Sequence, residues 1–287
     1  MTEHSSIADV VDVVIGSFIF DLGRYLVAAA LTSAIVWLLM KSDWRSRKIQ
    51  ARRATNADYR REILLSLRTV VVFVVVSVVT YIGHMSGWLA GKPQTASGLA
   101  ITLYVLAMVF AHDAYFYWVH RAMHHPRLFH AFHRSHHRSV TPTPWAAYAF
   151  DLPEALVMAL FMPLWLFLVP TPEVAIFVFL AIMIVRNVMA HAGLELHARG
   201  WASHPVLKWV STTTHHDLHH SGNFNSNYGF YFTFWDKLMG TENPNYVGVF
   251  EEVTARPARA DVPRLSGRLV MGGFLVATLT ATALPLG

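Results

Sequence analysis

Twenty-three consecutive residues, Thr69 to Gly91, carry no Asp, Glu, Lys or Arg. About 20 apolar residues suffice for a helix to cross a bilayer. Within lipid, a helix satisfies its own backbone polar groups, as few other structures can. Further apolar runs cover Val14 to Met40, Gly98 to Trp118, Leu152 to Val169, Val174 to Ala190 and Leu269 to Pro285. Only 14% of the 287 residues are charged, against about 25% in soluble domains. The chain is therefore expected to be an all-α integral membrane protein with four to six transmembrane helices. Pro170-Thr171-Pro172 reads as a tight turn between the fourth and fifth runs. These two runs are short, so they form either a hairpin that crosses and returns or a re-entrant one. Asp21 and Arg24 lie three apart within the first run and are expected to pair on one helix face.

Positive charge is concentrated. Lys41, Arg45, Arg47, Lys48, Arg52, Arg53, Arg60, Arg61 and Arg68 crowd between the first two apolar runs. A nucleic-acid patch is the other reading of such a cluster. Apolar segments on both sides favour a cytoplasmic membrane loop, with no nucleic-acid partner. The N-terminal tail holds Glu3, Asp9 and Asp12 but no Lys or Arg, which fits the opposite side. Counting crossings from that loop brings the segments after the third and fifth runs to the cytoplasmic side. The membrane is expected to be the bacterial inner membrane, or the endoplasmic reticulum in a eukaryote. The start, MTEHSSIADVVDVV, lacks a basic region, so no cleavable signal peptide is expected. Cysteine is absent, which excludes disulfides, thiolate-ligated zinc and cysteine-ligated iron–sulfur clusters within this chain.

Fifteen of the seventeen histidines lie between His112 and His220. Eleven of them fall in HRAMH (His120 to His124), HRSHH (His133 to His137), HAGLELH (His191 to His197) and HHDLHH (His215 to His220). Neutral imidazole is the commonest metal ligand. One four-coordinate metal uses three or four ligands, so this number points to two. His120 and His124 stack on one helix face about 6 Å apart. HRSHH and HHDLHH share the pattern HxxHH, which on a helix offers three ligands from one turn, with two such triplets facing each other. Asp113 and Tyr117 precede the first box at helical spacing. Asp113 can accept the second N–H of a ligating imidazole and fix its orientation, or act as a buried cap or pairing group. His4 and His84 lie outside the pattern, and His125, His130 and His204 read as structural or surface residues. The four boxes should form a cytoplasmic histidine-rich helical cap holding a dimetal site.

From about Asp113 to Thr241 the chain resembles the membrane fatty acid hydroxylase and sterol desaturase superfamily. The resemblance is carried by DAYFYWVHRAMHHPRLFHAFHRSHH, TPTPWAAYAF and THHDLHHSGNFNSNYGFYFTFWDKLMGT. These contain D-x-x-x-Y-x-x-H-R-x-x-H, two H-x-x-H-H boxes, N-Y-G and W-D-K-x-x-G-T in family order. The resemblance implies metal ligands at His120, His124, His133, His136, His137, His216, His219 and His220, with His191 as a ninth. His197 and His215 are weaker candidates, and His112 a candidate for the surroundings of the ligands. Asn227, Tyr228, Trp235 and Asp236 match family positions and read as scaffold. One departure shows: Asp151 stands where related sterol desaturases often carry the His of a His-Pro pair.

The resemblance further implies two iron ions, O2 as cosubstrate, and hydroxylation or desaturation of a membrane lipid. The substrate is expected to be a sterol, sphingoid base, fatty acyl or alkyl chain, with hydroxylation slightly favoured by the departure at Asp151. Electrons are expected from a separate protein of reductase, ferredoxin or cytochrome type. The alternatives are a dizinc membrane hydrolase and a non-catalytic metal- or haem-binding membrane protein. The expected organisation is N-terminal membrane helices with their basic loop in 1–97, a catalytic domain in 98–245, and a tail in 246–287 bearing a possible last membrane helix.

Overall fold

The computed structural model describes residues 7–90, 96–222 and 224–257. The apolar run Leu269 to Pro285 lies outside the described residues. Among those described, the fold is helical, with two isolated β-bridges in place of strands. Helix α1 (Ile7–Leu39), α2 (Asn56–Met85) and α3 (Gly98–Met123) are long. They are followed by the short α4 (Pro126–Phe132) and α5 (Arg134–His137). Then come α6 (Leu152–Ala159), α7 (Phe161–Leu168), α8 (Glu173–Ala190), α9 (Thr213–Ser221), α10 (Phe234–Leu238) and α11 (Tyr246–Ala255).

Helices α1, α2, α3 and α8 are long and apolar enough to cross a membrane. Their outer faces carry Ile19, Leu31, Val79, Phe110 and Val174, each more than half exposed. Such a continuous apolar surface is costly in water and natural against lipid. The chain is a multi-pass membrane protein. Asp21 and Arg24 pair at 2.7 Å inside α1.

The fourth apolar run departs from a single membrane helix. It breaks at Leu160, where α6 ends and α7 begins. Pro163 supplies the reason: it lacks an N–H, and its ring crowds the carbonyl four residues back, that of Ala159. The run nevertheless reaches the far end of the bundle, where Ala90 N–H donates to the Leu166 carbonyl at 2.9 Å. The second apolar run also differs in extent. Thr55 and Asp58 form a reciprocal capping box, so α2 starts thirteen residues before Thr69. Arg60, Arg61 and Arg68 are therefore helical, and the basic loop proper is residues 40–55.

That loop is not free. Ile49 N–H donates to the Gly193 carbonyl at 3.2 Å, and Glu195 N–H to the Arg47 carbonyl at 3.0 Å. Gln50 Nε2 donates to the Val140 carbonyl at 2.8 Å. The basic loop and the histidine boxes thus share one end of the bundle, as crossing parity requires.

The segment Pro144–Tyr148 is buried between α1, α2 and α8. Irregular backbone is tolerated among membrane helices only where protein groups satisfy it. Here Tyr25 Oη and Ser66 Oγ both donate to the Trp145 carbonyl, at 2.9 and 3.0 Å. Asn187 Nδ2 donates to Ala147 and Arg68 Nη2 to Phe150, at 2.6 and 2.7 Å. Tyr25, Val70, Phe73, Trp145, Tyr148 and Val188 form one apolar core around it.

Candidate metal centre

Nine histidines converge at the cap end in two groups. His120, His124, His133, His137 and His219 form one; His136, His191, His216 and His220 form the other. All nine are buried, and within each group the nearest ring nitrogens lie within 4.8 Å of one another. They come from the C-terminal end of α3, from α5 and its first cap, from the residue closing α8, and from α9.

The two HxxHH boxes are used alternately. In each, residues i and i+4 join one group while i+3 joins the other. His133 and His137 go with His219, whereas His136 goes with His216 and His220. The two triplets face each other, as expected, but each of these two boxes contributes to both groups. The first box is not split, since His120 and His124 both enter the five-membered group.

The ring orientations explain what the groups can hold. His120 Nδ1 faces the Tyr228 carbonyl at 2.9 Å, and His219 Nδ1 faces that of Ser226 at 2.7 Å. His191 Nδ1 faces the Asn187 carbonyl at 2.8 Å, and His133 Nδ1 lies 2.7 Å from the Glu154 carboxylate. A backbone carbonyl oxygen only accepts, so Nδ1 of His120, His219 and His191 carries the proton and their Nε2 a bare lone pair. Yet His120 Nε2 and His133 Nε2 sit 2.9 Å apart. An ionised Glu154 would keep the proton of His133 on Nδ1 as well, and two lone pairs at that distance repel unless a cation lies between them. Ligand nitrogens about 2.0–2.1 Å from one metal lie roughly 3.0–3.4 Å from each other, depending on geometry. His124–His137 at 3.2 Å, His191–His216 at 3.0 Å and His216–His220 at 3.1 Å match that spacing. The residues present therefore fit two metal ions.

Burial acts in the same direction. Loss of solvent, reinforced by neighbouring imidazoles, pushes His133, His136, His137, His216, His219 and His220 well below the ordinary histidine range. His124 is pushed down to about 2 by burial and by His120, and His191 to about 4 chiefly by burial. Neutral imidazole is the form that ligates.

Asp113 does not orient an imidazole. Its Oδ1 accepts the backbone N–H groups of Tyr231 and Phe232 at 2.8 and 3.2 Å, tying α3 to the segment after the last box. Tyr117 acts at one remove. Its ring stacks on Trp235 and its hydroxyl meets Thr241 Oγ1 at 2.9 Å. Thr241 donates to Asp236, and Asp236 accepts from the N–H groups of Tyr228 and Gly229. That chain fixes the turn whose carbonyl orients His120. His215 lies outside both groups, with Nε2 3.4 Å from Asp236. His197 is also outside, paired with Glu195 at 2.7 Å. Glu195 additionally accepts from Thr214 N–H at the start of α9, and so seats the last box.

Glu154 is the residue that sequence reading missed. The available signal was a carboxylate at the mouth of an apolar run, in DLPE. Asp151, the apparent departure, accepts from Ser135 N–H and Oγ at 2.8 and 2.6 Å and so anchors α5. Asn227 holds φ at +59°, a left-handed conformation Asn tolerates, and donates to the His215 carbonyl. At Gly229 a Cβ would collide with the Phe232 carbonyl oxygen and come within 2.8 Å of Asp236 Oδ2. Gly229→Ala should therefore cost about 1–3 kcal/mol of stability and loosen the His120 carbonyl partner. A thermal melt in detergent, read with metal content, checks both.

Beneath the groups lies a largely apolar cavity of about 290 Å³. Phe116 and Phe150, on its lining, touch the rings of His120 and His136 at 5.0 and 5.4 Å. The cavity also reaches Thr80 and Ile176, toward the other end of the bundle.

The fatty acid hydroxylase family matches residues 105–241. A Delta(7)-sterol 5(6)-desaturase of Gibberella zeae is 34% identical over 50% of this chain and 42% of its own length. Another, of Aspergillus fumigatus, is 29% identical over 79% of this chain and 64% of its own. The lathosterol oxidase of Homo sapiens is 30% identical over 49% of this chain and 46% of its own. The chain thus spans less than two thirds of each of these relatives. No solved structure matches it. Residues 105–241, which contain all nine converging histidines, match the fatty acid hydroxylase family, and the relatives they resemble are sterol desaturases and a lathosterol oxidase.

Proposed function

We propose that this protein is an O2-dependent di-iron oxidase that hydroxylates or desaturates a membrane lipid. The observation that carries the reading is the pair of all-imidazole groups whose Nε2 atoms face one another about 3 Å apart. Bound iron would supply oxygen activation and C–H oxidation, chemistry that redox-inert zinc lacks. His120, His124, His133, His137 and His219 would hold one ion, and His136, His191, His216 and His220 the other. A dizinc hydrolase would be expected to use carboxylates among its ligands, whereas both groups are imidazole alone.

The chain's own residues do the rest. The Tyr228, Ser226 and Asn187 carbonyls and the Glu154 carboxylate fix ring orientation. Phe116 and Phe150 exclude water from the cavity side. A lipid body lying in the cavity keeps its apolar surface out of water while one carbon approaches the metals. We assign this core to 98–245, with the helices of 1–97 as its membrane frame. The names of the relatives weigh toward desaturation, and Asp151 no longer argues against it, because its carboxylate has a structural task of its own. Electrons would come from a separate donor docking at the cap, where the basic loop 40–55 suits an acidic partner.

Lipid mass spectrometry of cells with and without the protein tests the reaction class. A lipid gaining one oxygen atom marks hydroxylation, and one losing two hydrogens marks desaturation. A hydrolysed lipid, or two zinc ions in active protein, would replace this reading with the hydrolase. The cap is assigned to the cytoplasm on its basic loop. Single cysteines placed at Ser46 and at Glu173 in this cysteine-free chain should label from opposite sides. Labelling from one side would overturn the topology.

A further inference from the structure

One imidazole on the cavity wall has no part in the metal centre. His112, on α3 two turns before His120, is 4% exposed and lines the cavity. Its imidazole is caged by Phe161, Phe179 and Phe230, with ring centroids at 4.8, 5.5 and 5.7 Å. Its Nδ1 is buried with no hydrogen-bond partner among the described residues. Buried polar atoms are nearly always paired, and an unpaired one is costly to keep. Ionisable residues within a membrane span are rare and commonly functional. A ligand in the cavity would remove the cost.

The chemistry of that ligand follows from the rest of the wall. Its formally charged residues are Asp21 and Arg24, which pair with each other at 2.7 Å. Arg24 Nη1 is also unpaired, but the guanidinium charge is already balanced. The cavity therefore offers no net positive charge to a carboxylate or phosphate, and burying an unpaired anion there would be prohibitive. A hydroxyl is neutral, and because it both donates and accepts it suits either imidazole tautomer. The surrounding phenyl rings suit a hydrocarbon body.

We propose that His112 determines specificity in this cavity by hydrogen-bonding the hydroxyl of a neutral lipid alcohol whose hydrocarbon lies among the Phe rings. That this alcohol is the substrate rests on the oxidase reading above; that the cavity selects a hydroxyl does not. Two photoreactive probes separate the claims: a diazirine-bearing hexadecanol and the matching diazirine-bearing hexadecane. Each is crosslinked to the metal-loaded full-length protein in detergent, and cavity peptides are quantified by mass spectrometry. The alcohol should label the cavity roughly 3- to 10-fold more than the alkane, the ratio one net hydrogen bond gives. His112→Phe should bring the ratio to unity with metal content unchanged, and His112→Gln should restore part of it. His112→Met fills the cage without a hydrogen-bonding nitrogen and is read in parallel, so the test stands if the Phe variant folds poorly. Equal labelling by both probes in the unaltered protein, or a preference that survives His112→Phe and His112→Met, overturns the proposal. The oxidase reading stands or falls separately, on the cellular lipid profile.

Discussion

A His136→Ala protein is expected to bind one metal ion per chain where the unaltered protein binds two, and to produce no oxidised lipid. His136 belongs to the four-membered group, so its loss leaves His191, His216 and His220. Three imidazoles leave a position open and hold their ion more weakly, so that ion is expected to be lost on purification. The five-membered group behaves differently. His137→Ala leaves four imidazoles there, and this variant should keep both metals while losing most activity. Metal analysis of purified protein beside lipid product analysis reads both outcomes. Two metals and full turnover in His136→Ala would remove the second group from consideration as a metal site. Because both HxxHH boxes contribute to both groups, loading of one ion orders ligands of the other, and the two should bind cooperatively.

Glu154→Gln is the second large effect. The carboxylate and His133 Nδ1 meet at 2.7 Å, with side chains 1% and 2% exposed. With a metal bound to the ring, an ionised carboxylate there would strengthen the ring's donor power and lock its orientation. Losing such an outer partner typically costs 10–100-fold in metal affinity or activity. Gln keeps the shape and removes the charge, so a loss in that range with normal expression isolates the electrostatic contribution. Metal titration of the apo-protein measures it. An unchanged affinity would show that Glu154 does no more than fill space.

Much of this site was legible in the sequence because imidazole spacing encodes it. All nine histidines named from the boxes and the family pattern come together, and His125, His130, His197, His204 and His215 stay outside. The assignment of each histidine to a group was not legible. It depends on His133 standing between α4 and α5 rather than inside a continuous helix. The partners of the ligands were hidden for a different reason. Most are backbone carbonyls, which carry no residue signature, and Glu154 is a lone acid three residues into an apolar run. Asp113 shows the converse: helical spacing set its position on α3, while the backbone of Tyr231 and Phe232, remote in sequence, claimed its carboxylate. Fold class followed from apolar run length. The break at Leu160 was readable in principle from Pro163, and the early start of α2 from Thr55 and Asp58.

The buried Pro144–Tyr148 segment imposes an order on biosynthesis. Helices α1 and α2 leave the ribosome first, carrying Tyr25, Glu62, Ser66 and Arg68 into or beside the bilayer. Their hydrogen-bonding partners, Thr143, Trp145 and Phe150, are made some 75 or more residues after Arg68. Asn187, which closes the segment from the other side, comes later still. Insertion and assembly are thus separate events, and in the interval the nascent chain holds unsatisfied polar groups in or near lipid. A chain truncated before residue 140 would stay in that state, marked for membrane quality control, while one that reaches α8 locks its early and late helices together.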